Sequence, residues 1–120
     1  MRRRALVAAV LAGIGGGVRP APSAIEAARI ERLIAFVAGQ KRVAFIRNGS
    51  AYSGAEAAQF LRAKYEKMGE HVTTAAQFIE QIATRSSTTG EAYLIRLADG
   101  RTVTAARFLG DELQRIDRPQ

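Results

Sequence analysis

The pattern of apolar and polar residues predicts four helices. Each apolar stripe recurs at helical spacing and follows a hydroxyl residue of the kind that caps a helix N-terminus. The four predicted caps are Ser23, Ser53, Thr74 and Thr104. In the first three stripes a Glu or Gln stands three residues after the cap, the spacing of a reciprocal capping box. The predicted helices end at about Ala38, before Gly39; at Met68, before Gly69; near Thr84; and near Asp117.

Two β-hairpins are predicted between these helices. In the segment "FIRNGSAY", Asn48-Gly49 is the strongest short hairpin signal, because both central residues of a type I′ turn need positive φ. The cross-strand pairs expected from this turn are Arg47 with Ser50, Ile46 with Ala51, and Phe45 with Tyr52. The segment "AYLIRLADGRTVT" predicts a second hairpin with Asp99-Gly100 at its turn.

Together these elements predict an α+β fold of order α-ββ-α-α-ββ-α. An isolated hairpin is marginally stable in water, so we expect both to join one small antiparallel sheet packed with about four helices. Arg47 and Arg96 each follow an isoleucine in a predicted strand. We expect them near each other on the solvent face, where they would form a two-pronged anion site. The alternative is that both are ordinary polar positions of an alternating strand.

The N-terminus has the pattern of a Sec-type signal peptide. Three arginines, residues 2–4, precede an uncharged apolar run over residues 5–18 that is shorter than a membrane-spanning helix needs. We therefore expect a signal peptide at residues 1–23, one α+β domain at 24–117, a disordered tail at 118–120, and a periplasmic or secreted protein. The alternative is an uncleaved N-terminal anchor, which would be the protein's only attachment to a membrane.

Composition excludes several classes of function. The net charge of +7 comes from 18 basic and 11 acidic residues, and four of the arginines precede residue 24, which leaves +3 for the predicted mature chain. A dedicated nucleic-acid binder would gather basic residues and aromatic platforms on one face, so no nucleic-acid partner is expected. Because the chain has no cysteine, disulfides, a thiol nucleophile and thiolate metal sites are excluded.

The search for catalytic groups gives few candidates. His71 is the single histidine, and the motifs of serine hydrolases, zinc proteases and P-loop proteins are absent, so neither a metal nor a cofactor is expected. The loop 85–90, "RSSTTG", offers four adjacent hydroxyls beside Arg85 and could hold an anionic or sugar-like ligand. Its Ser and Thr side chains could equally serve only to satisfy the backbone of a turn.

Several spaced motifs carry a family resemblance: "FIRNG", "FLRAKY", "TAAQFIEQIATRSSTTGEAYLIR" and "AARFL". Their order resembles a family of small exported bacterial proteins of unknown function, found mostly in Gram-negative proteobacteria. The resemblance implies a periplasmic location and no assigned activity, and it brings no catalytic residues. In that family a His-Leu pair often stands where this chain has Phe60-Leu61, and a Trp-Leu pair where it has Phe108-Leu109, which argues against a role for that histidine here. The positions that match the motifs are Phe45, Ile46, Arg47, Asn48, Gly49, Tyr52, Lys64, Ser86, Ser87, Gly90 and Tyr93.

The leading hypothesis is a non-enzymatic periplasmic binding or accessory module. Its partner would be an anionic or polar small molecule or an envelope protein. The alternatives are a small enzyme acting on cell-envelope glycan or phosphate esters through Ser87 or Glu91, and a purely structural role for the same polar residues. The candidate ligand-binding residues are Arg47, Asn48, Tyr52, Lys64, Ser86, Ser87, Tyr93 and Arg96.

Overall fold

In the part of the chain that the structure describes, four helices and four strands follow one another in the predicted order. The computed structural model describes residues 21–119. The helices are α1 (Ala24–Ala38), α2 (Gly54–Met68), α3 (Ala75–Gln81) and α4 (Ala105–Asp117), and the strands are β1 (Ala44–Arg47), β2 (Ser50–Tyr52), β3 (Leu94–Arg96) and β4 (Thr102–Thr104). Most of the predicted leader lies outside the described residues. Within residues 21–119 no helix is long and apolar enough to cross a membrane.

Each helix begins at its predicted hydroxyl cap. The side-chain oxygens of the four caps accept hydrogen bonds of 3.1–3.2 Å from the backbone N–H three residues later. A reciprocal capping box forms at α2, where the Ser53 N–H donates to the Glu56 carboxylate at 2.9 Å.

The prediction of a reciprocal capping box is wrong for α1 and α3, because the return hydrogen bond to the backbone N–H of the cap does not form. The Glu26 carboxylate accepts instead from the Ala75 N–H at 2.8 Å and from Arg29 at 2.6 Å, so it joins the start of α1 to the start of α3. This backbone N–H, together with Arg29, lowers the pKa of Glu26. At α3 the Gln77 side chain accepts from the Thr73 N–H at 2.7 Å. Both side chains therefore satisfy donors other than those of their own caps.

The first hairpin has the predicted register. Phe45 pairs with Tyr52, Ile46 with Ala51, and Arg47 with Ser50. Its turn residues, Asn48 and Gly49, have φ values of 51° and 82°. Positive φ at both positions is what a type I′ turn requires, so the predicted turn is confirmed.

The second hairpin closes differently from the first. Its turn is closed by the Gly100 N–H, which donates to the Leu97 carbonyl at 2.9 Å, and the Leu97 N–H donates to the Arg101 carbonyl at 2.7 Å. Gly100 has a φ of 91°, whereas Asp99 has no positive φ and accepts from the Arg101 N–H through its side chain. The connection is therefore a longer loop than the two-residue turn of the first hairpin, and of Asp99 and Gly100 only the glycine adopts a left-handed backbone conformation.

Both hairpins join one antiparallel sheet of order β2-β1-β3-β4. The central pair of strands aligns Phe45 with Ile95, and both side chains are buried. Helices cover this face: the ring of Phe108 from α4 lies 6.3 Å from that of Phe45 and 5.4 Å from that of Phe36 in α1. The predicted α+β fold and the joining of the two hairpins are confirmed.

Gly54, the first residue of α2, lies against the C-terminal end of α1. A Cβ atom at this position would collide with the backbone carbonyl oxygen of Val37 and would lie 2.6 Å from that of Gln40. Farther along the same helix pair, Arg62 donates two hydrogen bonds to the Glu31 carboxylate, at 2.6 and 3.0 Å. The close approach of α1 and α2 therefore depends on the absence of a side chain at Gly54.

Candidate functional site

A cavity of about 290 Å³ opens between α2, the last residue of β1 and the loop that precedes β3. We call it the cationic pocket. Five of the predicted ligand-binding residues line it: Arg47, Lys64, Ser86, Ser87 and Tyr93. The other lining residues are Phe60, Ala63, Lys67, Met68 and Thr88. Those contributed by α2, at positions 60, 63, 64, 67 and 68, follow the helical repeat, so they share one helix face.

Lys64 lies buried at the bottom of this pocket. The residue is only 8% exposed, and its ammonium donates to the Arg85 carbonyl at 2.7 Å and to the Tyr93 hydroxyl at 3.0 Å. An ammonium has three N–H donors, and the third has no partner among residues 21–119. Burial lowers the pKa of Lys64, and the positive charge of Arg47 lowers it further. The protonated form of Lys64 would therefore be stabilised by a negative charge placed in the pocket.

Tyr93 supports Lys64 from the strand side. Its hydroxyl accepts the lysine hydrogen bond, and the ammonium lies 4.8 Å from the centre of its ring. Burial raises the pKa of the Tyr93 hydroxyl, while the charge of Arg47 acts in the opposite direction. Tyr93 is thus a neutral residue at physiological pH that positions the ammonium.

Arg47 lies over aromatic rings. Its guanidinium carbon is 4.0 Å from the centre of the Phe60 ring and 5.4 Å from that of Tyr52. In the described part of the chain, no acidic side chain pairs with it. Cation–π contacts hold the guanidinium in place but leave its N–H groups available to a ligand.

Arg96 lies on the opposite face of the sheet, so the expected pair of arginines does not form. The register places Phe45 opposite Ile95 and Ala44 opposite Arg96. Because side chains alternate along a strand, Arg47 shares the helix-covered face with Phe45, whereas Arg96 projects from the other face, where it is exposed. The prediction of a shared solvent face is therefore wrong. The local sequence pattern does not determine the register between β1 and β3, and this register places the two arginines on opposite faces.

Asn48 does not line the cationic pocket itself but hydrogen-bonds to Ser86, which does. The Asn48 amide donates to the Ser86 hydroxyl oxygen at 3.2 Å and accepts from the Thr89 hydroxyl at 2.6 Å. The Ser86 oxygen also accepts from the backbone N–H groups of Thr88 and Thr89, at 3.2 and 3.3 Å. Ser86 is buried, and these contacts agree with the alternative in which loop hydroxyls satisfy a turn.

We expect Ser86→Ala to lower the free energy of unfolding by about 1–3 kcal/mol, because two backbone N–H groups and the Asn48 amide would lose their acceptor. Urea denaturation would measure the change. Ser87→Ala is the matched control, since within residues 21–119 the exposed Ser87 hydroxyl makes one side-chain hydrogen bond, to the Met68 sulfur at 3.5 Å. Equal stability of the two variants would contradict the structural role of Ser86.

A second, apolar cavity of about 190 Å³ adjoins the cationic pocket. Arg47, Phe60 and Tyr93 line both cavities. Tyr52, another predicted site residue, lines only this second cavity. The remaining lining residues are Phe45, Ile46, Glu56, Ala57, Leu61, Ala83, Leu94, Ala105 and Leu109. We call it the apolar cavity.

In the described part of the chain, neither Ser87 nor Glu91, the residues proposed for an enzymatic alternative, has a side-chain hydrogen bond or ion pair with an acidic or basic side chain. Within residues 21–119, no basic side chain is within hydrogen-bonding distance of the Ser87 hydroxyl. Glu91 and His71 are both exposed. No group of three or more His, Asp or Glu side chains in the described part could hold a metal ion.

Comparison with known proteins gives a family but no activity. The model of a family of unknown function, DUF5329, matches residues 24–117. The uncharacterized protein YfeK of Salmonella typhimurium strain LT2 is 39% identical over 71 residues, a segment that covers 59% of this chain and 59% of that relative. No solved structure matches the chain. The expected likeness to a family of unknown function is confirmed at that level, and export stays a prediction.

Proposed function

We propose that this chain, which belongs to the DUF5329 family, is a non-enzymatic binding module whose cationic pocket holds a small anionic ligand. The family carries no assigned activity. The observation that carries the proposal is the charge of the pocket lining, which among residues 21–119 contains Arg47, Lys64 and Lys67 but no acidic residue.

The charge arrangement favours a ligand over a purely structural role. Buried charges in proteins are normally paired, because leaving water is costly for an ion. Lys64 is buried beside Arg47, a like charge that lowers its pKa, and its two acceptors are neutral oxygens. A carboxylate, sulfate or phosphate in the pocket would supply the missing negative charge and would accept from both side chains.

The hydroxyls of the loop complement these cations. Ser87 and Thr88 are exposed and line the same pocket. Hydroxyl donors can bind anion oxygens that the cations leave free. Ser86, by contrast, uses its oxygen to hold the loop, so its contribution to binding is to position its neighbours.

Titration with phosphate, sulfate and acetate, followed by amide NMR, would test the proposal. We expect saturable shifts at Lys64, Tyr93 and the loop 85–90. Lys67→Gln should weaken binding about threefold to tenfold, because it removes one charge-assisted contact. Lys41→Gln, an exposed lysine outside the pocket, is the matched control and should leave binding unchanged. Absence of saturable binding, or equal loss in both variants, would reject the proposal.

We further propose that the module works in the periplasm, on the support of the predicted leader. Fractionation of host cells and the mass of the denatured native protein would test this. We expect a periplasmic protein whose N-terminus lies near residue 23. A full-length chain in the cytoplasmic fraction would overturn this location without affecting the pocket.

A further inference from the structure

We infer that the ligand is an amphipathic anion, with its charged head in the cationic pocket and an apolar tail in the apolar cavity. This inference rests on the proposed anion-binding function and names the class of ligand.

The two cavities meet at one set of side chains. Arg47, Phe60 and Tyr93 line both. The Arg47 guanidinium lies against the Phe60 ring, and that ring meets Tyr93 edge to face, with 5.9 Å between the ring centres. A head group bound to Arg47 therefore lies beside the partition between the cavities. Such a ligand needs only a tail directed past Phe60 to reach the apolar side.

The distribution of charge orients the ligand. Among the residues that the structure describes, Glu56 is the one acidic residue in the lining of either cavity, and it belongs to the apolar one. Its carboxylate accepts from the Ser53 N–H at the start of α2, and this contact lowers the pKa of Glu56, so it is ionised at neutral pH. A negative head is repelled by Glu56 and attracted by Lys64 and Lys67. The head therefore belongs in the cationic pocket and the tail in the other.

The size of the apolar cavity limits the tail. Small-molecule sites usually enclose about 300–1,000 Å³. The apolar cavity, about 190 Å³, is below that range by itself, whereas together with the cationic pocket of about 290 Å³ it lies within the range. A dry cavity of about 150 Å³ can hold a benzene-sized hydrocarbon. A linear chain of about six to eight carbons, or one aromatic ring, therefore fits the apolar cavity.

A chain-length series of carboxylates tests this inference directly. Acetate, butanoate, hexanoate, octanoate and decanoate would be titrated calorimetrically below their micelle-forming concentrations, with 1-octanol as the probe that lacks a charge. We expect affinity to rise by up to about fourfold for each added methylene and to stop rising near eight carbons. We expect 1-octanol to bind at least about tenfold more weakly than octanoate, because it lacks the charge that the pocket recognises.

A variant that fills the apolar cavity sharpens the test. Ala57→Leu adds three carbons to a lining residue, so we expect the rise to stop about three carbons earlier while acetate binding is unchanged. Ala55→Leu, on the exposed side of the same helix, is the matched control and should keep the wild-type series. If Ala57→Leu does not fold, NOEs from the octanoate chain to Leu61 and Leu109 in the wild-type protein would support the inference, and their absence would overturn it.

The outcomes separate this inference from the proposed function. Saturable acetate and phosphate binding with no gain along the series would overturn the amphipathic ligand and leave the anion-binding module intact. Equal affinity for 1-octanol and octanoate would also overturn it, because the head would then contribute nothing. Failure of every anion to bind would reject the proposed function itself.

Discussion

Replacing Lys64 with methionine is expected to weaken anion binding strongly while leaving the protein folded. The substitution removes the buried positive charge but keeps a side chain of similar length under Tyr93. The hydrogen bonds to the Arg85 carbonyl and the Tyr93 hydroxyl are lost, and so is the cost of burying an ammonium. We therefore expect the free energy of unfolding to change by less than about 1.5 kcal/mol. Anion affinity should fall by at least about tenfold, the value of one strong charge-assisted contact.

The pH dependence of binding identifies Lys64 as the titrating group. An anion binds the protonated form of the lysine, so its affinity is highest below the pKa of Lys64 and falls as pH rises through it. Because burial and Arg47 lower this pKa, we expect the fall to begin below the ordinary lysine value of 10.5. In Lys64→Met the remaining affinity should not change in that window. Calorimetric titrations between neutral and alkaline pH would measure both profiles.

A wild-type affinity in Lys64→Met would mean that anions bind elsewhere on the protein. Lys67→Met serves as the control for loss of charge, since Lys67 lines the same pocket but is exposed. We expect a smaller loss of affinity and an unchanged pH profile for this variant. If both variants lost affinity equally, the buried position of Lys64 would have no special role.

Gly54→Ala is expected to cause the largest loss of stability among conservative substitutions in α2. The added Cβ would collide with the backbone oxygens of Val37 and Gln40, which no side-chain rotation can relieve. The helices α1 and α2 would have to move apart, at a cost of about 2–3 kcal/mol or more. Thermal unfolding would register this as a fall of roughly 10–20 °C in Tm.

Gly110→Ala provides the control with the opposite sign. This glycine lies inside α4, and among the described residues a Cβ there would have no atom within 4 Å apart from the backbone of its own helix. We expect a gain of about 0.5–1 kcal/mol, because alanine loses less backbone entropy in a helix than glycine does. A similar, small effect of alanine at both glycines would contradict the close packing described at Gly54.

Local signals in the sequence predicted much of the fold because they act over a few residues. A cap such as Ser53 and the Asn48-Gly49 turn determine the conformation of their own neighbours, and both were predicted correctly. The predictions for Glu26 and Gln77 failed because those side chains had two possible donors within reach. The donor used by Glu26, the Ala75 N–H, becomes close only after α3 packs on α1.

The candidate site was only partly predictable. Lys64, Ser86 and Tyr93 were identified by motif, but nothing local indicates that Lys64 is buried, because burial depends on the loop that folds over it from a distant part of the chain. Arg47 and Arg96 occur in similar local patterns. They differ in environment because the pairing of β1 with β3 places them on opposite faces. Lys67 and Phe60 were not among the predicted site residues, although the spacing of α2 places them beside Lys64.

The two outer strands of the sheet also affect how the folded protein behaves at high concentration. Strands β2 and β4 contain three residues each, and each leads at once into the cap of a helix. Each exposed edge of the sheet is therefore only about 10 Å long. A long, flat edge strand is a template on which a second chain can add a strand and start an aggregate. Short edge strands that lead directly into helices offer few unpaired backbone groups for such growth. We therefore expect concentrated solutions of the folded protein to resist aggregation by strand addition.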